Sequence, residues 1–87
     1  MQNTLNRVLK IAGIVFGVDD SQLNAGTMIT ENLNPDSIEV AEFAISLEKE
    51  FGVSIALDEI NPAGSLGRLS AILDERRAHK ATSGRTS

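Results

Sequence analysis

The sequence predicts an all-α fold: a small four-helix bundle with a long first loop and a short third helix. Three features point there. Apolar residues recur at spacings of three and four in separate segments, the period of a helix with one buried face. No segment shows the strict alternation of a half-buried strand. Asp36 and Ser65 stand where helices start, and Gly17 and Gly52 where helices stop. At 87 residues the chain makes one domain with a modest core.

The first helix is expected over residues 3–16, with Leu5, Val8, Leu9, Ala12, Val15 and Phe16 inward and Asn6, Arg7, Lys10 and Gly13 on other faces. A loop from Val18 to Asp36 follows, and its Leu23, Met28, Ile29 and Leu33 are expected against the core. An ordered loop of that length is uncommon and usually functional. The second helix runs from Ser37 to about Phe51. Asp36 caps it, and Glu39 three residues later completes a capping box. Pro35 biases Asn34 toward extended backbone. Asp58 starts a short third helix that Asn61-Pro62 curtails. Ser65 caps a fourth, with Leu66, Leu69, Ile72 and Leu73 inward and Arg76 and Arg77 suiting its C-terminal dipole. Residues 1–77 thus form the helical domain, and 78–87 a polar, basic tail expected to be disordered.

Composition removes most enzyme chemistry. Without cysteine there is no disulfide framework, thiolate metal site or cysteine nucleophile, and His79 alone supports no histidine-paired site. Residues 19–75 hold all 12 acidic residues against only Lys49 and Arg68, a balance of −10, while both ends are basic. Such a middle repels phosphate backbones and attracts basic protein surfaces, which argues against nucleic acid as a partner. No apolar run approaches a membrane span, and the N-terminus lacks the pattern of a signal peptide, so a cytoplasmic protein is expected, and it is taken as a monomer. Asp20, Gln22, Asn24 and Glu31 fall in a calcium-loop register, but Ala25 stands where the sharp turn needs glycine; no metal site is assigned.

At about 100° per residue, the second helix divides into two arcs. Val40, Phe43, Ala44, Leu47 and Phe51 form the core stripe. Ser37, Ile38, Ala41, Glu42, Ile45, Glu48 and Lys49 lie on the adjoining arc, where Ile38 and Ile45 are apolar anchors flanked by carboxylates. Two readings stay open: a partner-docking surface, or isoleucines packed beneath the long loop. Ser37 lies in the first turn, where unpaired N–H groups and the positive dipole end favour an attached phosphate. Asp36 beside it can cap the helix, orient the hydroxyl or hold a cation during phosphoryl transfer.

The run Leu33-Asn34-Pro35-Asp36-Ser37-Ile38-Glu39, followed by Glu42, Leu47-Glu48-Lys49-Glu50-Phe51 and Ile55, resembles the acyl carrier protein family, whose members carry an Asp-Ser-Leu motif at the head of an acidic second helix. The resemblance extends without gaps from about Thr4 to Leu73. It implies an acyl-carrier-like four-helix bundle and no catalytic residues of its own. Ser37 would receive 4′-phosphopantetheine from coenzyme A, and Asp36 would be recognised by the phosphopantetheinyl transferase. Acyl groups would ride as thioesters on the arm's thiol to acyl-transferring and chain-elongating enzymes of fatty-acid, polyketide or related synthesis, docked through Ile38, Ala41, Glu42, Ile45 and Glu48. Asn34 stands where the family has glycine, Ile38 where it has Leu or Met, and Ala56 where proline is common. Two alternatives accompany this reading: an unmodified acidic interaction module on the same fold, or a peptidyl or aminoacyl carrier, which Glu39 disfavours. Ser65, in Gly64-Ser65-Leu66, is a rival attachment serine without the preceding Asp.

Overall fold

A computed structural model describes residues 3–86, with side chains as far as residue 78. Four helices appear in chain order: α1 (Thr4–Phe16), α2 (Ser37–Phe51), α3 (Leu57–Ala63) and α4 (Leu66–Thr86). None is long and apolar enough to cross a membrane, among the described residues. Asn3 caps α1 by accepting the Asn6 N–H at 2.8 Å, and Gly17 ends it with φ 68°. Val8, Ala12, Phe43, Leu47, Ile60, Leu66, Leu69 and Leu73 close the core where α1 packs on α2 and α4, and α3 fills the remaining side.

Gly13 departs from the expectation that it faces outward. It is buried, and a Cβ there would meet the Val18 carbonyl at 2.8 Å, so the chain leaving α1 folds directly over it.

The long first loop is ordered by pairing with the start of α4. Gly67, Leu66 and Ile29 donate N–H bonds to the carbonyls of Ala25, Thr27 and Gly64 at 3.0, 3.0 and 2.8 Å, and Met28 forms an isolated bridge with Ser65. Leu23 and Ile29 are buried and Leu33 packs on the core, as the apolar pattern of the loop predicts. Met28 is half-buried. A 3₁₀ turn (Asp20–Gln22) and a π turn (Ile29–Leu33) lie within the loop.

Two sequence expectations are corrected around α3. Pro62 does not curtail it: the helix begins after Ala56 and runs through Pro62 to Ala63. Proline removes one intrahelical bond, but here the helix ends one residue later at Ala63, with Gly64 (φ 89°) as its C-cap, so little is lost. Nor do Arg76 and Arg77 complement a C-terminal dipole, because α4 runs on past them to Thr86 and the dipole acts only within the last turn. Arg76 has another role. It pairs with Glu59 and donates to the Ser54 carbonyl at 3.0 Å, while Glu59 accepts the Ala56 N–H at 2.7 Å. One ion pair therefore clamps α4 to the cap of α3 and to the loop before it.

That clamp holds the Glu59 carboxyl down to about 2, through the Arg76 hydrogen bonds and then the Ala56 N–H. A depressed carboxyl stabilises the fold fully above its unfolded pKa of about 4.3 and loses that contribution as pH falls toward the folded value. Arg76→Gln should therefore lower the thermal midpoint at neutral pH. The gap from the parent protein should close progressively between about pH 4.3 and 2. Thermal melts across that range check it; a gap independent of pH would assign the effect to packing alone.

Past Arg77, α4 continues to Thr86. The side chains of 79–87, His79 among them, lie outside the described residues.

Candidate functional site

The approach to α2 is built by local geometry. The π turn closes with the Asn34 N–H donating to the Ile29 carbonyl at 3.0 Å, and Asn34 takes φ 45°, ψ 57°. This overturns the extended backbone expected ahead of Pro35. The chain must reverse at the end of the π turn, and asparagine accepts left-handed geometry better than any residue but glycine.

Asp36 then caps α2 as the sequence predicts. Its Oδ1 accepts the Glu39 N–H at 2.8 Å, and its own N–H donates to Glu39 Oε1 at 3.1 Å. With the capping box made by Asp36 and Glu39, Ser37 is left exposed in the first helical turn. Its N–H and that of Ile38 have no intrahelical acceptors, so a phosphate on the Ser37 hydroxyl would meet the positive end of the helix. The rival Ser65 is differently placed. It is half-buried, and its Oγ accepts the Arg68 N–H at 3.1 Å as the cap of α4.

The two arcs of α2 separate as their periodicity predicts. Val40, Phe43, Ala44, Leu47 and Phe51 are buried. On the other arc Ile38 is 70% exposed and Ile45 51%, so neither isoleucine lies beneath the loop. Glu42 is exposed and Ala41 half-exposed beside them. Glu48 shares the arc but is half-buried, and its Oε2 accepts the Ile55 N–H at 3.0 Å. It braces the α2–α3 loop as well as carrying rim charge.

Sequence reasoning missed two exposed apolar side chains, Ile14 (82%) on α1 and Leu57 (54%) at the head of α3. A helical projection of α1 sets Ile14 apart from the inward residues, and that offset was the available signal. Among the described residues no group of three or more His, Cys, Asp or Glu is arranged to hold a metal ion.

A family model for the phosphopantetheine attachment site matches residues 2–73. The acyl carrier protein of Zymomonas mobilis subsp. mobilis is 28% identical over 78 residues, which cover 90% of this chain and 100% of that protein.

Proposed function

The chain belongs to the phosphopantetheine-attachment family of acyl carrier proteins, and from that premise we propose that Ser37 is the serine that takes the arm. Members of this family are carriers rather than enzymes, and their 4′-phosphopantetheine is covalently bound. The observation that carries the assignment to Ser37 is its exposed hydroxyl in the first turn of α2, beside a helix end already capped by Asp36 and Glu39. In the loading step Ser37 Oγ bonds to the β-phosphorus of coenzyme A as the bond to adenosine 3′,5′-bisphosphate breaks. The hydroxyl proton passes to a base of the transferase. The arm supplies the thiol that a chain without cysteine lacks, and acyl groups travel on it as thioesters.

The partners of this reading are the phosphopantetheinyl transferase and acyl-transferring and chain-elongating enzymes of fatty-acid, polyketide or related synthesis, met by a cytoplasmic monomer. They dock on the arc of Ser37, Ile38, Ala41, Glu42, Ile45 and Glu48, where the isoleucines provide desolvated contact and the carboxylates attract basic surfaces. Asp36 is the transferase's recognition point next to the serine. Incubation with coenzyme A, magnesium and a broad-specificity transferase should add one arm, located by peptide mass on the segment containing Ser37.

Charge and packing separate within the same assay. Glu42→Lys should reduce kcat/KM for loading about tenfold at low salt, with the defect shrinking as ionic strength rises past about 0.5 M. Glu48→Lys should slow loading too, but also lower the melting temperature, because the Ile55 N–H loses its acceptor. Equal loading by the Glu42→Lys protein at every salt concentration would remove the acidic rim from docking.

A further inference from the structure

Ile14 is the most exposed large apolar side chain among the described residues, and the carrier chemistry makes no use of it. It stands on α1 between two hollows in the seam with α2. The larger, about 310 Å³, is lined by Ile14, Val15, Glu42, Ile45 and Ser46. The smaller, about 210 Å³, is lined by Arg7, Lys10, Ile11, Ile14 and Glu50. The helices run antiparallel here, since Arg7 meets Glu50 while Ile14 sits near Glu42 and Ile45. From Arg7 to Ile14 the seam is about 10 Å long, or two helical turns.

The charges along the seam are uneven. Arg7 is engaged: it pairs with Glu50 at 2.7 Å and lies over the Phe51 ring at 4.5 Å. Glu42 is exposed at the larger hollow and Lys10 at the smaller. A visitor to this seam therefore meets an aliphatic ridge with a carboxylate at one end and an ammonium at the other. A second copy of the chain is a poor match, because each copy carries a net −4 and a −10 middle.

We propose that the α1–α2 seam is a second docking surface for an amphipathic helix of a partner protein. That helix places an aliphatic side chain in each hollow astride Ile14 and a Lys or Arg against Glu42. Its cationic end points away from Lys10. The surface adjoins the arc below Ser37 through Glu42 and Ile45, but it does not depend on where the arm is attached. Its two-turn length fits helix-in-groove anchors at i, i+4 and i+7.

The test uses the full chain with isoleucine methyls labelled for NMR, and a synthetic helix of about 15 residues. That peptide carries leucines at i, i+4 and i+7 and lysines at one end. The Ile11, Ile14 and Ile45 methyls should shift on titration while Ile38 stays in place. Ile14→Asp and Glu42→Lys should each weaken binding about tenfold. The loss from Glu42→Lys should vanish at high salt, and the loss from Ile14→Asp should persist. Ser37→Ala protein should bind the peptide as the parent does, with loading of the parent followed separately by mass, so a failure of the attachment assignment is seen apart from a failure of the seam. Four results would overturn the proposal: the largest shift at Ile38, equal binding of a peptide with glutamate for lysine, no methyl shift at all, or seam shifts that follow protein concentration without peptide. The last would give the seam to a second copy.

Discussion

Ser37→Ala should abolish phosphopantetheine loading and leave the fold intact. The substitution removes the only oxygen through which the proposed phosphodiester could form at this position. The side chain is exposed, and α2 is capped by Asp36 and Glu39, whose bonds the change does not touch. Exposed substitutions of this kind usually stay within about 0.5 kcal/mol. Intact mass after incubation with coenzyme A and transferase reads the first outcome, and thermal melting the second. Asp36→Asn refines the result. Asparagine caps a helix as well as aspartate, so stability should hold while loading falls about tenfold for want of the carboxylate. An adduct that persists on the Ser37→Ala protein, or that maps to Ser65, would move the attachment site.

The region around Ser37 was largely legible in the sequence because it is governed by short-range rules. A capping box spans four residues, and the stripe from Val40 to Phe51 repeats within a single helix. Asn34 was misread for the opposite reason. Pro35 argues for extended backbone from one side, but the π turn closing on Ile29 imposes a left-handed residue from the other, and that turn has no strong sequence mark. The clamp between Arg76 and Glu59 joins residues 17 apart, and the pair between Arg7 and Glu50 joins residues 43 apart. No periodicity relates such positions. Glu48 shows the limit of a helical projection: it places the residue on the outer arc, but only the fold reveals the Ile55 N–H within its reach.

Phe43→Ala and Ile45→Ala, two residues apart on α2, should have opposite effects. Phe43 is fully buried and stands edge-to-face with Phe16, ring centroids 5.1 Å apart and planes at 68°. Its removal leaves a cavity where α1 meets α2, and truncations of this type cost about 3–5 kcal/mol. A domain of this length has a total stability on the order of 4–13 kcal/mol, so the variant should be severely destabilised or unfolded at 25 °C. Ile45 is 51% exposed, so truncation forfeits only part of its burial, and alanine's higher helix propensity offsets some of that. Its cost should stay below about 1 kcal/mol. The loading rate should nevertheless fall by about tenfold at any salt concentration, because the lost contact is apolar rather than ionic. Urea unfolding followed by far-UV circular dichroism suits a chain without Trp or Tyr, and transferase kinetics supply the second axis. A loss of about 2–5 kcal/mol for Ile45→Ala would put that side chain in the core. The docking arc would then keep Ile38 alone as its apolar anchor.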